Sequence, residues 1–119
     1  MPEHSLMHAL REERVAYSLH DSSLPGKPDL VFKRNRIALF VDSDFWHAHP
    51  KRFTMPRTHR AYWRVKIMGN KRRDRRVNRA LRKLGWRVIR VWEYDIRHSL
   101  PRVVSRVLAA LTASSKRGV

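Results

Sequence analysis

The chain has 119 residues, no cysteine and a formal net charge of +17, from 27 Lys and Arg against 10 Asp and Glu. That length holds one domain with a modest core and a sheet of roughly three to five strands. The composition excludes disulfide scaffolds and thiolate zinc sites, and no apolar segment approaches the ~20 residues of a membrane span.

So basic a chain favours a polyanionic partner, and its preference for arginine over lysine suits forked contacts to phosphate. Binding to an anionic membrane surface is disfavoured, because the basic residues are spread over helices, strands and loops. The N-terminus lacks the charged and apolar regions of a signal peptide, so a cytoplasmic, nucleoid-associated location is expected.

Leu6, Met7, Ala9 and Leu10 are spaced for an amphipathic helix from Pro2 to about Glu13. Glu3 falls in its first turn, where the helix dipole favours a carboxylate. Val15 to Leu19 alternates enough for a short strand. Leu24-Pro25-Gly26-Lys27-Pro28 is a rigid turn, since the prolines hold the backbone on either side of Gly26. Two apolar runs follow, Leu30-Val31-Phe32 and Ile37 to Val41, joined by Lys33-Arg34-Asn35-Arg36. The link is short enough for a hairpin, with Asn35 suited to positive φ. The second run is continuously apolar, which predicts a strand buried on both faces.

Phe45 and Trp46 are adjacent aromatics beyond the end of that strand, followed by His47 and His49. Aromatics on a basic surface can stack on bases or wedge between base pairs, or fold back into the core. An imidazole near neutrality can take a proton from an attacking water. A helix is predicted from Thr58 through Tyr62, Trp63, Ile67 and Met68, with a break or bend at Gly69-Asn70. A second runs from Lys71 to Leu84, its apolar face formed by Val77, Ala80, Leu81 and Leu84. Its other faces carry Arg72, Arg73 and Arg76 among other cations, with Asp74 the exception, and phosphate contact is the expected use. Trp86 to Trp92 reads as a strand. The last helix runs from about Ser99 to Ala113, burying Val104, Val107, Leu108 and Leu111. Residues 1–113 are thus one domain, and 114–119 are expected to be a flexible tail.

With a turn centred near Asn35, Asp29 lies opposite Val41 or Asp42, and directly opposed strand residues sit roughly 5 Å apart on one face. Carboxylates gathered at a strand end are tolerated if one holds a proton or a hard cation bridges them. The plainer reading has Asp29 capping a turn after Pro28 and Asp42 ending the strand in water.

Taken together, these residues resemble the very-short-patch repair (Vsr) endonucleases, a branch of the PD-(D/E)XK nuclease superfamily. The likeness runs from Glu3 to Glu93. It is strongest at Leu24-Pro25-Gly26-Lys27-Pro28-Asp29-Leu30-Val31-Phe32, Phe45-Trp46-His47-Ala48-His49, Arg72-Arg73-Asp74-Arg75-Arg76 and Leu84 to Glu93. The resemblance implies an α/β fold, a small mixed central β-sheet flanked by helices as in restriction endonucleases. It also implies Mg²⁺-dependent cutting of one strand of double-stranded DNA beside a T:G mismatch, with Mn²⁺ as a substitute ion.

On that resemblance Asp29 and the Val41 carbonyl match metal contacts, His47 the general base and Glu3 the acidic residue of the first helix. Phe45, Trp46 and Trp63 match the aromatics that wedge into DNA. Lys27, His49, Arg72, Arg73 and Arg76 join them as expected DNA contacts. Two departures stand out. The family's histidine after the Val41 position is Asp42 here, which adds a catalytic carboxylate and a third metal contact. The family's zinc-binding cysteines are replaced, with Asp44, Lys51 and Tyr94 at or near their places, so no structural zinc is expected. Three other functions fit parts of the pattern: a homing, mobile-element or restriction-type endonuclease, a non-catalytic DNA-binding module, and a structural RNA-binding protein. Other DNA-repair or mobile-element proteins are possible partners.

Overall fold

Ile37 to Val41 is the apolar run on which the sheet is built, and in the computed structural model it forms the inner strand β3 (Ile37–Asp42). The structure describes residues 2–44 and 53–117, with side chains described for 4–44 and 53–113. The element order is α1 (Pro2–Glu12), β1 (Ser18–Leu19), β2 (Leu30–Phe32), a 3-10 turn (Lys33–Asn35), β3, α2 (Arg60–Lys83), β4 (Arg87–Trp92), α3 (Glu93–His98) and α4 (Leu100–Arg117). The strands lie in the order β1-β2-β3-β4. The first two pairings are antiparallel and β3 pairs with β4 in parallel, making a mixed sheet. A parallel pair needs a long crossover, and α2 lies within it.

Alternation along the strands divides the core. Leu30, Phe32, Ile37, Leu39, Ile89 and Val91 face α1, α3 and α4 and pack with Leu6, Leu10, Ile96, Val103, Val107 and Ala110. Each fully buried Leu, Ile or Phe there contributes roughly 1.5–3 kcal/mol. On the other face Ala38 and Phe40 meet Leu81 of α2, with Leu24, Val77, Trp86 and Val88 around them. Helices therefore cover both faces of the sheet, the α/β architecture anticipated above.

Several local details differ from expectation. The chain turns between β2 and β3 at Arg36, whose φ is +53°, rather than at Asn35. Asn35 instead donates its side-chain amide to the Leu111 carbonyl at 3.1 Å, which ties the turn to α4. The register pairs Leu30 with Leu39 and Phe32 with Ile37, so Asp29 continues opposite Phe40, one position short of Val41. Gly69-Asn70 does not break the helix, because α2 runs unbroken through both. Gly69 faces open space, and one exposed glycine costs a helix only about 1 kcal/mol. Leu84 ends that helix and is exposed rather than buried. The first expected strand shrinks to Ser18–Leu19, because Arg14 turns the chain at φ +58° and Val15 and Tyr17 pack on the core. Helix α4 continues past Ala113 to Arg117 and buries Val103 and Ala110 along with Val107.

Candidate active site

A cleft of ≈ 620 Å³ opens on the α2 side of the sheet, where β2 begins and β3 ends. Asp29, Phe40, Val41 and Asp42 line its floor. Gly26 and Lys27 come from the turn before β2, Arg73, Asp74 and Val77 from α2, and Arg90 from β4. Gly26 permits this closeness. Its φ is +77°, and a Cβ there would lie 2.6 Å from Val77 Cγ1. The turn can thus settle onto α2 only with a hydrogen at that position.

Asp29 stands just before β2, one residue past the last pair of the β2–β3 ladder, Leu30 with Leu39. Its side chain takes the place of a strand partner: Val41 donates its backbone N–H to Asp29 Oδ2 at 2.7 Å. That hydrogen bond fixes the carboxylate plane against the backbone of Val41. Asp29 Oδ1 lies 3.9 Å from His20 Nδ1, and the His20 N–H reaches the Asp29 carbonyl at 3.2 Å. The loop between them is held by Asp21 Oδ1, which accepts from the N–H and hydroxyl of Ser23. Those donors, the hydroxyl foremost, lower the Asp21 carboxyl below its usual range.

Asp42 is buried, its residue only 6% exposed, on the α2-facing side of β3. Arg90 holds it: Nη1 donates to Asp42 Oδ1 at 2.9 Å and lies 3.5 Å from Asp74 Oδ1. Arg90 Nε donates to Asn78 Oδ1 at 3.0 Å, and the guanidinium lies 4.2 Å from the Phe40 ring centroid. Asp74 and Asn78 are one helical turn apart on α2, so they share the face turned to the sheet. Asp44 follows the strand with a buried Oδ1 that accepts no hydrogen bond among the described residues. Among the described residues no three His, Cys, Asp or Glu side chains converge to hold an ion.

The structure therefore brings Lys27, Asp29, Val41, Asp42 and Arg73 to one cleft. Arg72 and Arg76 lie exposed elsewhere on α2. Trp63 is half-buried and packs edge-on against Tyr62, ring centroids 5.2 Å apart. Phe45, Trp46, His47 and His49 lie outside the described residues, as does the side chain of Glu3. A second cleft of ≈ 480 Å³ adjoins, lined by Val41, Ser43, Tyr62, Lys66, Asn70, Arg73 and Glu93. Val41 and Arg73 line both.

Sequence reasoning did not find Arg90, His20 or Asn78 at the site. Arg90 did leave a signal: it is the one charged residue between the apolar positions Val88-Ile89 and Val91-Trp92 of β4. Asp74 was visible as the one acid in a basic helix, but not as a group aimed at the sheet.

Comparison with known proteins gives a consistent picture. The family described as DNA mismatch endonuclease Vsr matches residues 1–52. The chain is 46% identical over 69 residues to the type II nicking enzyme V.NaeI of Lentzea aerocolonigenes, covering 58% of this chain and 42% of that one. It is 40% identical over 96 residues to the type II nicking enzyme V.XorIIP of Xanthomonas oryzae pv. oryzae, covering 80% of this chain and 71% of that one. To the DNA mismatch endonuclease Vsr of Escherichia coli it is 41% identical over 96 residues, covering 80% and 62%. It thus spans between 42% and 71% of the length of these relatives.

Proposed function

The chain belongs to the Vsr family of endonucleases, and from that premise we propose that it hydrolyses a phosphodiester bond in double-stranded DNA, nicking one strand with the help of Mg²⁺. The observation that carries this reading is the Asp29 carboxylate, locked to Val41 by a 2.7 Å hydrogen bond and facing a cleft with Asp42, Arg73 and Arg90. Its relatives carry names of nicking enzymes and a mismatch endonuclease.

The donor set suits the ion. Mg²⁺ keeps several waters and is usually held by one or two carboxylates together with substrate phosphate, not by a full protein cage. The cleft offers the hard carboxylate oxygens of Asp29 and Asp42, and among the described residues no three His, Cys, Asp or Glu side chains converge. Asp29 and the Val41 carbonyl would hold the ion, with Asp42 beside them; Mn²⁺ would serve in its place. Bound there, the ion would act as a Lewis acid on the scissile phosphate and lower the pKa of a coordinated water. Asp29 orients, because its own hydrogen bond removes rotational freedom. Lys27 and Arg73 neutralise phosphate charge at the cleft mouth. His47 takes or returns the proton, in line with the family resemblance.

The test uses supercoiled plasmid with Mg²⁺ or with EDTA. The reading predicts metal-dependent conversion to open circles, lost in Asp29→Ala with DNA retention intact. Equal nicking by Asp29→Ala would end it. We further propose that a T:G mismatch directs the cut, by analogy with the mismatch endonuclease relative. Mismatched duplexes should then be cut at least ~10-fold faster than matched ones, a difference of about 1.4 kcal/mol in barrier; equal rates would remove this part.

A further inference from the structure

Arg90 is the cation most firmly fixed in the cleft, and the family resemblance gives it no role. Three contacts hold its guanidinium plane: Nε to Asn78 at 3.0 Å, Nη1 to Asp42 at 2.9 Å, and the face of the Phe40 ring 4.2 Å away. Nη1 is also 3.5 Å from Asp74. Nη2 has no partner among the described residues. The side chain is only 20% exposed, and it lines the cleft that Asp29 faces. A planar, stacked guanidinium with its other nitrogens engaged has one direction left for Nη2. It is a preset donor for an oxyanion.

We propose that Arg90 is a catalytic residue whose Nη2 donates to a non-bridging oxygen of the scissile phosphate. This rests on the nuclease reading above. In the reaction the water oxygen bonds to phosphorus and the bond to the leaving oxygen breaks. The water's proton passes to a base, and the leaving oxygen gains one. Arg90 gives up none, since guanidinium does not deprotonate in proteins. It stabilises negative charge that grows on the equatorial oxygens, at a place already organised before substrate arrives. Asp42 and Asp74 act through it as positioning residues, holding the fork in place. That accounts for an acid in an otherwise basic helix, where a carboxylate facing DNA would weaken binding.

The competing account is that Arg90 only ties α2 to the sheet. Arg90→Lys and Arg90→Gln separate the two. The lysine ammonium can still neutralise Asp42, but it cannot also reach Asn78 and present a directed second donor. The readouts are the single-turnover nicking rate with Mg²⁺, plasmid affinity in EDTA, and the melting temperature. The proposal predicts a rate lowered about 100-fold in both variants, the usual scale for one lost transition-state donor, with affinity within about threefold of the parent. Three results would overturn it: either folded variant nicking within about threefold of the parent, a rate loss matched by an equal loss of affinity, or a chain that folds only with arginine at this position. Failure of the nuclease reading looks different, because the parent itself would not nick.

Discussion

At the scale of single residues, Asp29 does two jobs that substitution can separate. Its carboxylate satisfies the Val41 N–H, a charge-assisted hydrogen bond contributing roughly 1.5–3 kcal/mol, and it faces the cleft. Asp29→Asn keeps an oxygen to accept that bond but loses the charge. It should cost under about 1 kcal/mol in stability, read by urea unfolding, yet lose Mg²⁺-dependent nicking. Asp29→Ala should lose both. If Asp29→Asn unfolds as readily as Asp29→Ala, the charge itself holds the strand end. Asp42 weighs more on stability than Asp29 does. Asp42→Ala leaves Arg90 only the more distant Asp74 as an acid and should destabilise by about 1–3 kcal/mol, the cost of a buried donor losing its partner. Asp29 was legible from the sequence because it opens the first of two apolar runs joined by a short link, and because it matches the aspartate of the family it resembles. The Arg90 bond to Asp42 was not, because the two are 48 residues apart and meet only through parallel pairing of β3 and β4.

At the scale of elements, the turn before β2 and helix α2 are fitted to one another through Gly26 and Val77. Gly26→Ala should destabilise by roughly 1–3 kcal/mol, combining a strained left-handed backbone with a 2.6 Å clash. Val77→Ala in the same chain removes the clashing methyls, so the double variant should recover part of that loss in melting temperature. Strict additivity of the two costs would show that the turn does not rest on α2. Gly69 behaves differently: it is helical and a Cβ added there would meet nothing within 4 Å among the described residues, so Gly69→Ala should raise stability by up to about 1 kcal/mol. The apolar periods marked most of these elements. What they missed are choices made by tertiary contact. Asn35 looked like the turn residue by type, but its bond to Leu111 leaves the left-handed position to Arg36. That choice shifts Asp29 by a position against β3. The glycine in α2 looked like a break because propensity is local, whereas Ile67 and Leu81 on either side are buried against the body.

At the scale of the molecule, a charge of +17 is distributed so that the cleft's acids are compensated by Arg73 and Arg90 while the outer face of α2 stays cationic. Binding to duplex DNA should weaken steeply with salt as counterions are released. Arg72→Ala with Arg76→Ala should weaken plasmid binding at every sequence and lower the log–log salt slope by about 2, one for each lost phosphate contact. An unchanged slope would place those arginines away from the DNA. The fold and the acid in the cleft could be read from one sequence because both rest on patterns along the chain. Arg90, the cation on the neighbouring strand, comes to the cleft through the pairing of β3 with β4. The account as a whole stands on a charged Asp29 in a cleft built for phosphate. Its most direct measurement is nicking of supercoiled plasmid by the parent and by Asp29→Asn, with Mg²⁺ and with EDTA, at equal bound DNA. The account predicts open circles only for the parent with Mg²⁺; nicking by the parent in EDTA, or by Asp29→Asn at the parent's rate, would contradict it.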